Sequence, residues 1–160
     1  MSQRVGHGFD THRLVAGRPL MLGGIQVPHP RGLEGHSDGD CVLHALCDAL
    51  LGAAAAGDLG EHFPSRDAKW KGAPSRAFVE EVARVLSARG YAVENVDVTV
   101  VAQEPLLAPH LPQMRRAVAE LLGLPAEDVS VKAKSTDGLG AIGRGEGIAA
   151  FAVALLRRQA

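Results

Sequence analysis

The sequence predicts an α+β fold: a mixed sheet with helices layered on one of its faces. Three observations carry that expectation. Valines alternate with polar residues around Val93, Val96, Val98 and Val100, and again at Val129 and Val131 with Ser130 between them, which is the two-residue period of a half-buried strand. Apolar residues recur at helical spacing over residues 41–56. The tail over residues 148–156 is apolar almost throughout.

The elements follow in order. Strands are expected near residues 4–9 and 20–27. In the helix over 41–56, Val42, Leu43, Leu46, Leu50 and Ala53 share one stripe, and Ser37, Asp38 or Asp40 can cap its start. A second helix near 75–89 stops at Gly90, and a third near 112–122 stops at Gly123, a glycine just past the last turn being the usual stop signal. For the tail, periodicity alone does not separate a strand covered on both faces from a short helix, and strand is the reading adopted. One layer of helices leaves the opposite apolar face of the sheet open, so a homo-oligomer is expected to cover it. Between the elements, residues 29–40, 57–74 and 135–147 are rich in Gly, Pro, Asp and Ser. Loops of this length in a compact domain usually carry function.

A chain of 160 residues suits one domain over 1–160 with a core that needs no disulfide. Lys and Arg number 17 against 18 Asp and Glu, so no overall cationic field draws nucleic acid or a membrane surface. Aromatic residues make up 4%, too few for a base-stacking platform. No apolar run follows Arg4, and no stretch approaches the roughly 20 apolar residues of a span, so neither export nor insertion is expected. Cys41 and Cys47 lie six apart in the apolar helix, on different faces, and read as core residues of a protein in the reducing cytoplasm.

Asp10 and His12 are two apart at the end of a strand, so both side chains lie on one side of the chain. His44 shares a helix face with Asp40 and Asp48 at spacings of four. One carboxylate and two imidazoles make a three-ligand site with a fourth position open, the pattern of catalytic zinc. Spacing alone equally allows Asp10, His12 and His44 to be unrelated surface or hydrogen-bonded residues. Asp40 reads as a cap and Asp48 as a solvated carboxylate, or as an acceptor that orients a ligand histidine. His7, His29, His62 and His110 have no spacing partner and read as structural or surface residues. Residues 139–147 place glycine at alternate positions after Lys132-Ala133-Lys134-Ser135-Thr136-Asp137. That pattern fits a phosphate cradle of amides and side-chain donors, and it also fits a plain glycine-rich turn.

Taken together, the motifs resemble one family along nearly the whole chain, the 2-C-methyl-D-erythritol 2,4-cyclodiphosphate synthases. The resemblance rests on Gly6-His7-Gly8-Phe9-Asp10-Thr11-His12, on Gly35-His36-Ser37-Asp38-Gly39-Asp40 followed by His44-Ala45-Leu46 and Asp48-Ala49-Leu50-Leu51-Gly52, on Gly57-Asp58-Leu59-Gly60 with Phe63-Pro64, and on Gly143-Arg144-Gly145-Glu146-Gly147. It implies an α+β homotrimer with each active site between neighbouring subunits, and one zinc-type ion per subunit on Asp10, His12 and His44. It implies that Thr11, His36 and Ser37 meet the substrate near that ion, with Asp58, Leu59 and Gly60 on the erythritol hydroxyls. Phe63, Pro64, Ser65, Arg66 and Asp67 would line the same wall. The cytidine diphosphate side would be formed by Ala102, Gln103, Glu104, Pro105, Leu106, Leu107 and Ala108, with Lys134, Ser135, Thr136 and Asp137 of the adjoining subunit. His36 and Ser135 fall at transition-state-stabilising positions. Asp137 is the carboxylate nearest a second ion, magnesium or manganese. Arg144 lies at the trimer axis, where an isoprenoid diphosphate is expected to bind, and Ala141 is a further substrate-binding position. Ser135 stands where the family usually has Thr, which keeps the hydroxyl, and Lys134 stands where it has a small hydroxyl residue.

The reaction implied by the resemblance is attack of the substrate's 2-phosphate on the β-phosphorus of its cytidine diphosphate. Cytidine monophosphate leaves, a cyclic diphosphate closes and no water is consumed. Such a step needs positioning and cancellation of charge more than covalent help from protein. Two rival readings remain: a zinc phosphohydrolase, which uses the same open metal site with water as nucleophile, and a non-catalytic trimer that merely binds metal.

Overall fold

The strands expected near residues 4–9 and 93–100 pair on either side of the strand expected at the tail. The computed structural model describes residues 2–159. Strand β1 (Gln3–Ala16) is followed by three short strands, β2 (Leu20–Leu22), β3 (Ile25–Val27) and β4 (Arg31–Leu33). Then come α1 (Cys41–Ala53), α2 (Leu59–His62), α3 (Ser75–Ala88), β5 (Tyr91–Val101), α4 (Leu111–Leu122), β6 (Val129–Lys134), α5 (Gly140–Gly143) and β7 (Gly147–Arg158). Five strands form a mixed sheet in the order β4-β1-β7-β5-β6, antiparallel throughout except between β5 and β6.

The tail is a strand because its alternate residues meet two different environments. Ile148, Ala150, Ala152, Ala154 and Leu156 are buried beneath the helices, whereas Phe151 and Val153 on the other face are 40% and 41% exposed. The helices α1, α3 and α4 pack as a layer against the sheet and one another. The opposite face stays open and presents Val5 and Phe9 of β1 beside Phe151, whose ring lies 5.0 Å from that of Phe9.

Helix α1 is buried along almost its whole length, between the sheet and α3. Its first turn is capped by Asp40, whose carboxylate accepts from the amides of Leu43, Gly23 and Gly24 at 3.1, 2.9 and 2.8 Å. Strand β1 touches α1 nearly backbone to backbone. A methyl group at Gly6 would collide with the carbonyl oxygen of Ala49, and one at Gly8 with that of Ala45. This close approach sets how far a side chain of α1 has to reach to meet one of β1.

Several boundaries differ from the expected ones. β1 continues past residue 9 to Ala16, because β7 pairs with it as far as Arg13↔Gly147 and β4 pairs from Leu14 to Ala16. Asp10 and His12 therefore lie inside a strand, not at its end. The segment 20–27 is broken at Gly23 and Gly24, whose φ values of 63° and 80° turn it into a separate hairpin of β2 and β3. β4 and α2 arise within stretches expected to be irregular, since three or four residues are too few to show a period. α1 ends at Ala53 rather than residue 56, and Ala55 turns the chain with a φ of 50°. Cys41 and Cys47 are buried free thiols, as expected.

Candidate active site

Asp10 and His12 project from β1 toward the helix layer, on the side that carries Gly6 and Gly8. His44, in the second turn of α1, meets them. The Asp10 Oδ2 atom is 2.8 Å from Nε2 of His12 and 3.0 Å from Nδ1 of His44, and the two nitrogens are 3.2 Å apart. Zinc bonds of roughly 2.0–2.2 Å at tetrahedral angles separate donor atoms by about 3.3 Å, so one cation fits among these three with little movement. The outer ring nitrogens are also engaged. Nδ1 of His12 donates to the Glu34 carbonyl at 2.5 Å, and Nε2 of His44 donates to the Ser75 hydroxyl at 2.8 Å. With the outer nitrogens so engaged, the neutral rings would present both inner lone pairs to a cation bound at the centre.

Electrostatics follow from that geometry. Burial pushes the Asp10 carboxyl up, but the hydrogen bonds and charge of His12 and His44 outweigh it and hold the group at about 2. For His12, burial pulls downward, and the hydrogen bond and charge of Asp10 outweigh it, so the imidazole is held above its usual 6.5. A divalent cation bound among the three would compete with protons for the same ring nitrogens.

Around the triad, Ser37 is buried with its hydroxyl 3.1 Å from Nε2 of His44, and His36 is exposed, its Nε2 atom 3.3 Å from the Asp67 carbonyl. Asp58 caps α2 by accepting from the Glu61 amide. Asp48 accepts from the amide of Leu59 at 2.7 Å and thereby holds the 58–60 turn; it does not orient a ligand histidine. Phe63 is buried, stacked on Phe78 at 4.6 Å and edge-on to Trp70, and Pro64, Ser65, Arg66 and Asp67 follow it toward the surface. Of the remaining histidines, His62 donates to the Ala56 carbonyl and His7 lies on the open sheet face near Phe151.

A second depression of about 280 Å³ lies at the ends of β5 and β6, walled by Ala102, Gln103, Leu106, Leu107, Lys134 and Ser135 among others. Its wall includes none of the three metal-type ligands. The Gln103 side chain accepts from the Gly138 amide at 3.0 Å and so ties the 102–108 loop to the turn holding Thr136 and Asp137. Ser135 donates to the Asp137 carboxylate at 3.2 Å. The glycine-rich stretch gives a correction. The amides of Gly143, Arg144, Gly145 and Glu146 donate to carbonyls of residues 139–142, so these four do not form a nest for an anion. Ala141 borders a shallow hollow with Thr11 and His12, and Arg144 pairs with Glu146 at 2.6 Å.

Sequence reasoning missed Ser75 and Arg18. The first bonds to His44 across 31 positions of sequence, and the second donates to the carbonyls of Gly35 and Ser37 at 3.1 and 2.7 Å. A serine opening a helix and an arginine in a turn both have ordinary local explanations, so no local pattern marks either.

Residues 3–157 match the YgbB family along its profile. The chain belongs to the YgbB family. Within it, the chain is 56% identical over 155 residues to the 2-C-methyl-D-erythritol 2,4-cyclodiphosphate synthase of Syntrophomonas wolfei, covering 97% of this chain and 99% of that protein. Among solved structures, it superposes on a 2C-methyl-D-erythritol-2,4-cyclodiphosphate synthase in its CDP-bound form with a TM-score of 0.89 at 39% identity, over 96% of this chain and all of the other. It also superposes on the bifunctional IspDF of Campylobacter jejuni with a TM-score of 0.90 at 39% identity, over 98% of this chain, which spans 42% of that longer protein. The family resemblance carried by the motifs thus extends to the whole length and to the fold.

Proposed function

We infer that this chain is a lyase of isoprenoid biosynthesis. It converts 4-diphosphocytidyl-2-C-methyl-D-erythritol 2-phosphate to 2-C-methyl-D-erythritol 2,4-cyclodiphosphate and releases CMP. The observation that carries the reading is the convergence of Asp10, His12 and His44 onto one point, in a chain 56% identical to a synthase of that name. These three residues would hold a zinc-type ion that supplies Lewis acidity toward a phosphate oxygen. Asp137 would serve a magnesium or manganese ion brought with the substrate diphosphate.

The chain's own residues do the positioning. His36 and Ser37, on the loop clamped by Arg18, face the side from which the 2-phosphate attacks, and Asp58, Leu59 and Gly60 hold the erythritol hydroxyls. The second depression receives the cytidine diphosphate, with the Ser135 hydroxyl donating to charge that builds on the transferring phosphoryl group. That depression and the triad do not share a wall within one chain, which supports a site completed across a subunit boundary. The open sheet face with Val5, Phe9, Phe151 and Val153 supports assembly as a homotrimer, and an isoprenoid diphosphate in the resulting central cavity would meet Arg144. Among the described residues, no helix is long and apolar enough to cross a membrane, and the two free buried thiols suit the cytoplasm.

Phosphorus NMR of the purified chain with the cytidylated substrate tests this reading. The expected result is a cyclic diphosphate and CMP in equal amounts, with no incorporation of labelled solvent oxygen. Label in the phosphate product would replace the cyclase by a hydrolase, and no product under any divalent ion would leave only a metal-binding protein.

A further inference from the structure

The hydroxyl of Ser75 is fully buried and sits between two groups that the sequence gives no reason to join. On one side it accepts from Nε2 of His44 at 2.8 Å. On the other its own proton goes to Oδ1 of Asp38 in a short hydrogen bond, while the Ser75 amide donates to the second oxygen of the same carboxylate at 2.9 Å. Asp38 therefore caps α3 from outside the helix, where Pro74 offers no side-chain cap. The Asp38 amide in turn donates to the Ala73 carbonyl at 3.1 Å, and the Gly72 amide donates to the His36 carbonyl at 2.7 Å. The loop with His36 and Ser37 is thus laced to the start of α3, and α3 to an inner ligand.

Direction is the useful part of this arrangement. Every hydrogen bond in the chain runs one way, from His44 Nε2–H to Ser75 Oγ and from Ser75 Oγ–H to the carboxylate, and the carboxylate accepts only. A serine hydroxyl has one proton, and Asp38 claims it, so the hydroxyl can meet His44 only as acceptor. That obliges a neutral His44 to carry its proton on Nε2 and to leave its Nδ1 lone pair for a cation held between it, Asp10 and His12. Ser37 Oγ, 3.1 Å from the same nitrogen, receives the Gly39 amide and can serve as a second acceptor while its own proton turns to Ser75 Oγ at 3.5 Å.

We propose that Ser75 and Asp38 are positioning residues of the metal centre: they fix the tautomer of His44. The inference rests on the metal-centre reading above and adds to it two residues that touch neither ion nor substrate. Arg18 holds the same loop through backbone carbonyls but leaves His44 alone, so it separates loop order from ligand order.

The test uses the full chain loaded with cobalt(II) or zinc. The affinity of Ser75→Ala should fall about 10- to 100-fold in chelator competition, with one ion still bound at saturation. Its cobalt absorption bands should shift, and Asp38→Asn should weaken binding less. Arg18→Ala should leave affinity and cobalt spectrum at the parental values. In the zinc-loaded parent, nitrogen-15 spectra should show His44 protonated on Nε2, a readout that needs no variant to fold. A His44 proton on Nδ1, or Ser75→Ala with parental affinity and spectrum, overturns the relay. A parent that binds no ion at all overturns the metal-centre reading instead, which keeps the two failures apart.

Discussion

The two faces of β1 solve opposite problems with the same fourteen residues. On the helix side, Gly6 and Gly8 have no side chain and Asp10 and His12 have ionisable ones, and all four lie against α1. On the open side, Val5, His7 and Phe9 present apolar or aromatic surface with nothing of this chain over it. The helix side is therefore fixed by backbone contact within one chain. The open side is left uncovered by the described residues of this chain. Burial by itself does not separate structure from function here, since the most tightly packed part of β1 leads straight into its ionisable part.

The largest effect that would break this comparison is Gly8→Ala. The added methyl meets the carbonyl of Ala45, a backbone atom with no room to yield, so we expect a loss of about 3 kcal/mol, at the upper part of the overpacking range. Thermal unfolding should show it as a drop of about 10 °C. A shift of less than a degree would mean that the β1–α1 contact is slack.

Next come the ligands. Asp10→Ala, His12→Ala or His44→Ala should each abolish stoichiometric zinc and most turnover while the fold persists, because the open site lies at the edge of the core and not within it. Metal analysis alongside circular dichroism checks both halves. A variant that keeps full zinc removes its residue from the ligand set.

On the open face, Phe151→Asp should break assembly and leave the triad intact. Sedimentation should report a smaller species, zinc should still bind at one ion per chain, and turnover should be lost under the proposal that the site is completed across subunits. Turnover that survives in a monomer would place the whole site within one chain.

The smallest effect is a pH signature of the metal-free chain. Asp10 is held at about 2 against an ordinary 3.8, so its contribution to stability is present above pH 3.8 and fades as pH falls toward 2. His12 is raised above 6.5, so its contribution is present below 6.5 and fades as pH rises through the raised value. Both describe one partly exposed ion pair, which should be strongest between those two limits. The melting temperature of His12→Ala should lack that plateau, and an unchanged profile would show that the pair adds nothing to stability.

What could be read before the fold was known was what repeats locally. The valine alternation located β5 and β6, the apolar stripe and the glycine stops located α1, α3 and α4, and the two-residue spacing put Asp10 and His12 on one side of a strand. Spacing could not choose between a metal site and three unrelated side chains, because His44 lies 32 residues beyond His12. The motif resemblance supplied that choice.

The sequence by itself thus determined the α+β class, the helix boundaries to within a few residues and the ligand candidates, because those depend on short periods and residue chemistry. Only the tertiary structure decided how far β1 extends, that Gly23 and Gly24 divide a strand into a hairpin, that Asp48 serves a turn, and that Ser75 and Asp38 stand behind His44. Apart from the local turn at Gly23 and Gly24, each depends on which segment outside its own period lies alongside: β7 for the length of β1, the Leu59 amide eleven positions on for Asp48, the 35–40 loop for Ser75. A hydrogen bond across thirty or more positions leaves no period in the sequence, so its partners become visible only when the chain has closed.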